Sequence, residues 1–139
     1  MKQAAASPRI GRCGAVVIAA ALATIVPVAS RACGACVEDK IAATYDHSVV
    51  ERAAASGDVM VFCEVTGSLD VQRLRRALGL VHGVKALSVR VSAQQAALSF
   101  AVDPRSRSPQ AAVDAVQRTL VPGTRLTIVH LRPPLVPSP

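Results

Sequence analysis

The stretch Val59-Met60-Val61-Phe62-Cys63-Glu64-Val65-Thr66-Gly67-Ser68 decides the fold. Val59, Val61, Cys63 and Val65 fall on one side of an extended chain, and Met60, Phe62 and Glu64 on the other. This period-two alternation predicts a strand. Thr66-Gly67-Ser68 is a turn, and Ser68 is placed to cap the next helix. Val71, Leu74, Leu78 and Val81 then recur at helical spacing and predict a buried stripe, weakened at Gly79 and closed by Gly83.

Downstream the pattern repeats. Val84 to Ser92 alternates with Leu87, Val89 and Val91 inward, Ala93-Gln94-Gln95 connects, and Ala96 to Val102 forms a third strand with Leu98, Phe100 and Val102 inward. Asp103-Pro104 breaks that strand. Ser108-Pro109 pairs a capping residue with a proline at the first helical position. Val113, Val116 and Leu120 form the second stripe, Pro122-Gly123 ends it, and Thr124 to Leu131 is the last strand, with His130 facing the same way as Leu126 and Ile128. The order β-α-β-β-α-β predicts an α+β fold, the ferredoxin-like antiparallel sandwich, with the first and third strands central and both helices on one face.

Upstream, Cys36 to Ala55 contains no Gly or Pro and predicts one additional N-terminal helix. Glu38 and Asp39 complement the positive end of its dipole. Val37, Ile41, Tyr45 and Val49 make its apolar stripe. The second face of the sheet, carrying Met60, Phe62, Ala97, Ser99 and Ala101, is small, mostly apolar and uncharged, and such a surface marks a contact. The economical expectation is that the Ile41/Tyr45/Val49 face crosses it, bringing Tyr45 to Phe62. The alternative is a partner protein, bound through the sheet face or the N-terminal helix.

Residues 1–32 have the layout of a secretory signal peptide. Lys2, Arg9 and Arg12 precede an uncharged run of 15 residues from Gly14 to Val28, followed by the small residues Ala29, Ser30 and Ala32. A bilayer span needs about 20 apolar residues. Cleavage is expected after Ala32, with Ser30 the neighbouring alternative. An uncleaved anchor, or lipidation of Cys33, would instead tether the chain to a membrane. The segment looks bacterial, so the expected compartment is the periplasm or the exterior, where disulfides are permitted. The resulting division is 1–32 signal, 33–57 N-terminal segment, 58–131 ferredoxin-like domain and 132–139 proline-rich tail.

The charge follows from this division. Of 16 Lys+Arg, four (Lys2, Arg9, Arg12 and Arg31) belong to the leader, leaving twelve against nine acids, a net +3. That is an ordinary surface. With 2% aromatic residues and no Trp, the chain lacks the stacking platforms of a single-stranded nucleic-acid binder. The run Arg73, Arg75, Arg76 reads as a solvated helix face.

Cys63-Glu64-Val65-Thr66-Gly67, Leu80-Val81-His82-Gly83-Val84, Ser88-Val89-Arg90-Val91 and Phe100-Ala101-Val102-Asp103-Pro104 together resemble a heavy-metal-associated domain. The resemblance covers about residues 58–131. It implies the same βαββαβ fold and a role in passing soft metals, chiefly Cu(I), between chaperones and transport ATPases. The family places Gly-Met-Thr-Cys-x-x-Cys after the first strand. This chain has Gly67-Ser68-Leu69-Asp70-Val71-Gln72-Arg73, with Asp70 and Arg73 where the thiolates would stand. An aspartate and an arginine cannot hold a soft metal in two-coordinate fashion. They are expected to form a salt bridge on the first helical turn. Cys63 falls on a core position and reads as a small buried hydrophobe.

The motif that carries chemistry is Cys33-Gly34-Ala35-Cys36. Two residues between cysteines let them pinch one metal or close one disulfide. A thiol at a helix start feels the dipole that favours thiolate, the species that binds metal or attacks disulfides. Three readings compete: soft-metal capture of Cu(I) or Zn by Cys33 and Cys36, a thiol–disulfide couple, and a structural disulfide or inert terminus. A thioredoxin-like site would need a preceding strand. A haem site would need His where Val37 stands. Tetrahedral zinc needs two more ligands. His47 is 11 residues along the expected helix, about 16 Å away. Cys63, His82 or His130 could contribute only if the fold brought them near. With cleavage after Ala32, the amine and thiolate of Cys33 could chelate together.

His82 reads as a solvated turn residue, and His47 with Glu51 as a surface pair. No Ser-His-Asp set, no carboxylate pair in a cleft and no phosphate loop is present, so the chain reads as a binding protein and not an enzyme. The leading expectation is an exported soft-metal-binding or metal-handover protein. The runner-up is a non-catalytic interaction module with a structural or redox-active disulfide.

Overall fold

The computed structural model describes residues 36–134. Residues 1–35, with the expected signal segment and Cys33, and residues 135–139 lie outside the described residues. The described chain is α+β. In order it forms α1 (Val37–Thr44), α2 (His47–Ser56), β1 (Val59–Thr66), α3 (Val71–Gly79), a 3₁₀ turn (Ala86–Ser88), β2 (Arg90–Ser92), β3 (Ala97–Val102), α4 (Pro109–Gln117) and β4 (Arg125–Arg132). The four strands make one antiparallel sheet in the order β2-β3-β1-β4. This arrangement is compatible with a ferredoxin-like fold.

The alternation along β1 has a physical counterpart on each face. Val61, Cys63 and Val65 join Leu74, Leu78, Val113 and Val116 in the larger core beneath α3 and α4. Met60 and Phe62 join Ala101, Val49, Val50 and Ala53 in a second core beneath the N-terminal helices, with Ile41 and Val129 packed against it. Burying a side chain of Leu or Phe size contributes about 1.5–3 kcal/mol, so two covered faces compensate for the shortage of large aromatics. The second sheet face is thus closed within the chain.

The cover differs from the single helix expected. It breaks at Tyr45–Asp46, where both residues are extended. Asp46 starts α2 by accepting from the amide of Val49 at 3.2 Å and the hydroxyl of Ser48 at 2.7 Å. Arg90 of β2 donates to the same carboxylate through Nη2 at 2.9 Å and Nε at 3.1 Å. These bonds outweigh one more helical turn. Ser99, on β3, donates to the carbonyl of Thr44 at 2.9 Å and ties down the end of α1. Tyr45 is left exposed and does not fill the core. The aromatic neighbour of Phe62 is His130, with ring centroids 5.9 Å apart.

Three further expectations are corrected. The predicted strand Val84–Ser92 shrinks to Arg90–Ser92, and Leu87 points outward at 88% exposure. The Ser88 hydroxyl donates to the carbonyl of Lys85 at 2.6 Å and accepts from the amide of Ala101 at 2.7 Å, replacing strand pairing with a 3₁₀ turn. His130 does not face with Leu126 and Ile128: an irregularity in register at Phe62/Cys63 sets His130 opposite Phe62 and Ile128 opposite Cys63. Asp70, not Ser68, caps α3. Ser108 and Pro109 start α4 as the sequence predicts, the Ser108 hydroxyl accepting from the amide of Ala111 at 3.2 Å.

One glycine is required by close approach. Gly67 has φ +90, and a Cβ there would collide with the backbone carbonyl of Gly123. This contact joins the turn after β1 to the turn before β4. Thr124 reinforces it by donating to the carbonyl of Ser68 at 2.8 Å.

Candidate functional site

Cys36 stands at the N-cap of α1, exposed and in no disulfide among the described residues. Its carbonyl accepts from the amides of Asp39 at 2.9 Å and Lys40 at 3.3 Å, which fixes the first turn while the side chain makes no cap bond. Cys33, its expected partner, lies outside the described residues.

The second described thiol is sealed. Cys63 is fully buried between the sheet and α3/α4, and burial pushes its thiol up to about 12. A protonated thiol without solvent access is neither nucleophile nor metal ligand at neutral pH.

The turn before α3 contains no substitute for a metal loop. Asp70 accepts from the backbone amide of Arg73 at 2.9 Å, and the Arg73 guanidinium reaches across to the carbonyl of Thr119 at 3.1 Å. The expected salt bridge between them is replaced by a cap and an inter-helix bond. His47 and Glu51 form the expected exposed pair at 3.0 Å. His82 is exposed in its turn, and His130 is exposed beside Phe62. Among the described residues, no three of His, Cys, Asp or Glu come together in a way that could hold a metal ion.

Several polar groups escape a reading of spacing alone. Lys40 of α1 is buried and pairs with Glu64 of β1. Asp58 is buried at the start of β1 beside a cavity of about 240 Å³ lined by Val49, Ala53 and Ala101. Its Oδ1 has no hydrogen-bond partner, and the Lys85 ammonium stands 3.8 Å away. Desolvation raises the Asp58 carboxyl, with the Lys85 charge opposing that rise. The sequence signal was an acid opening an otherwise buried strand. On the opposite side of the sheet, Arg73, Arg76, Arg107 and Arg118 rim a groove of about 550 Å³ between α3 and α4.

Compared with known proteins, the chain matches no family model, no curated protein and no solved structure. The likeness to heavy-metal-associated domains rests on the residues quoted above. Among the described residues, no helix is long and apolar enough to cross a membrane.

Proposed function

We propose that this chain is an exported, ferredoxin-like binding domain of heavy-metal-associated type, working in the bacterial periplasm or outside the cell. In this reading it captures a soft metal ion, Cu(I) or Zn, through Cys33 and Cys36 and hands it on. The strand order β2-β3-β1-β4 with α3 and α4 on one face supports the ferredoxin-like assignment. The observation that carries the metal reading is the contrast between two thiols: Cys36 is exposed at a helix start and in no disulfide among the described residues, whereas Cys63 is sealed in the core. A chain with one buried and one accessible thiol position directs metal to its N-terminal end. Two thiolates suit Cu(I) by softness. Zn would need further ligands, which a receiving protein could supply during transfer.

The test is a Cu(I) titration of the fully reduced protein against a competing chelator. Stoichiometric binding that disappears in Cys36→Ser and in Cys33→Ser supports the proposal. Absence of binding, or binding unchanged in both variants, contradicts it. Mass spectrometry of the isolated protein gives the start of the mature chain and counts free thiols.

The second reading is an interaction module with Cys33 and Cys36 joined as a disulfide. It is favoured by the cationic α3–α4 face, whose arginines make no ion pair among the described residues. Two thiols missing from the count in the isolated protein would favour it.

A further inference from the structure

The charge of the domain is divided between its faces. Five of the nine acids, Glu38, Asp39, Asp46, Glu51 and Glu64, lie on or against the α1–α2 layer. The opposite layer carries Arg73, Arg75 and Arg76 on α3, Arg107 before α4 and Arg118 at its end. The ion pairs formed by Lys or Arg among the described residues use Lys40, Lys85, Arg90 and Arg105 and none of these five arginines. The acids on this layer are engaged locally, Asp70 as a cap and Asp114 with Gln110. The Nε of Arg107 is buried in the structure with no hydrogen-bond partner.

The same face projects an apolar side chain. Leu80, at the end of α3, is 87% exposed and lines the arginine-rimmed groove with Ala77, Val81 and Ala115. Leu87, also exposed, is not part of this face: it lines the cavity beneath α2 with Val49 and Ala53. Leucine normally withdraws from water, and Leu80 protrudes amid cations.

We propose that the α3–α4 face docks on an anionic phospholipid surface, with Leu80 entering the headgroup region and Arg76, Arg107 and Arg118 meeting lipid phosphates. Charge complementarity selects an anionic occupant and excludes the chain's own leader, which is itself cationic at Lys2, Arg9, Arg12 and Arg31. The cations are long side chains spread over two neighbouring helices, and Leu80 stands out from the face at the rim of the groove. A lipid surface requires only such an apolar tip with surrounding positive charge. This inference is independent of the metal reading.

The chain has no Trp, so L80W in the full-length protein is a unique fluorescent reporter. The proposal predicts a blue shift of its emission with vesicles of equal parts phosphatidylglycerol and phosphatidylcholine, quenching by brominated lipid, and no shift with phosphatidylcholine alone. The corresponding A55W reporter, on the exposed surface of α2, should remain in water. Each Lys or Arg near an anionic surface strengthens binding by about fivefold. R76E/R118E in the L80W background should therefore weaken binding by about twentyfold or more, with an unchanged circular dichroism spectrum. An unshifted L80W signal, an equal response to neutral vesicles, a shift of A55W as large as that of L80W, or indifference to R76E/R118E overturns the proposal. A comparable response of L80W to soluble polyglutamate also overturns it, in favour of an acidic protein partner.

Discussion

The carboxylate of Asp70 accepts from the backbone amide of Arg73 at 2.9 Å, so the two positions that would bear the family's metal thiolates are joined instead as a helix cap. The Arg73 side chain is committed elsewhere, to the carbonyl of Thr119 at 3.1 Å on the far side of the α3–α4 groove. The turn has become a structural element. Neither Asp70 nor Arg73 is left to bind a soft metal.

Asp70→Ala should cost about 1 kcal/mol of stability through loss of the cap and leave Cu(I) binding unchanged. Chemical denaturation and copper titration of the same variant check both halves. The double variant D70C/R73C should add a second copper equivalent, because it restores the spacing of two thiols on the first turn.

Cys63 should behave as a core residue. In the native protein its reaction with a thiol reagent should be limited by opening of the fold, while Cys36 reacts at once. Addition of denaturant should release one further thiol per chain. Cys63→Ser places a hydroxyl in the apolar core and should cost about 1–3 kcal/mol, read by denaturant unfolding.

The two N-terminal helices should be required to close the sheet. Phe62→Ala removes the largest side chain of the second core and should cost about 3–5 kcal/mol. Deletion of residues 37–55 bares Met60, Phe62 and Ala101, and the remaining domain should self-associate or unfold. Light scattering and circular dichroism separate these outcomes from the monomeric, folded domain that would show the layer to be dispensable.

Two aspartates should pull the pH dependence of stability in opposite directions. Hydrogen bonds from Ser48, Arg90 and the Val49 amide hold the Asp46 carboxyl down to about 2. Its contribution is present above the ordinary carboxylate value and is lost as pH falls through about 2. Desolvation raises Asp58, so its native state holds a proton that the unfolded state has released, and stability falls as pH rises past the ordinary carboxylate range. Asp58→Asn should remove that fall. Thermal unfolding of wild type and variant between about pH 4 and pH 7 should show the variant gaining relative stability as pH rises. A constant difference between the two would contradict the account.

The elements most legible in the sequence are those whose signals are local. The alternation from Val59 to Val65 predicts β1 and both of its buried faces, and Ser108-Pro109 predicts the start of α4. The packing of Ile41 and Val49 against Met60 and Phe62 follows from an apolar stripe and an apolar sheet face, each lacking a partner. Failures occur where a distant residue intervenes. The break at Tyr45–Asp46 is stabilised by Arg90, 44 positions away. The turn at Ala86–Ser88 depends on the Ser88 hydroxyl bonding the amide of Ala101 on β3. The irregularity opposite Phe62 moves His130 to the other face of the sheet, which no periodicity within β4 could announce. For the candidate site, the exposure of Cys36 and the burial of Cys63 followed from their places at a helix start and within an alternating strand. The division of charge between the two helical layers became visible only when α3 and α4 were set side by side.

In the proposed function the N-terminal cysteine pair Cys33 and Cys36, and not the turn before α3 or the buried thiol, is the metal-binding element. Its most direct test is the stoichiometry of Cu(I) bound to the reduced chain and to Cys33→Ser, Cys36→Ser and Cys63→Ala in competition with a chelator. The account predicts one copper per chain for the parent protein and for Cys63→Ala, and none for either N-terminal variant. Retention of copper by both N-terminal variants, or no binding by the reduced parent, would contradict it.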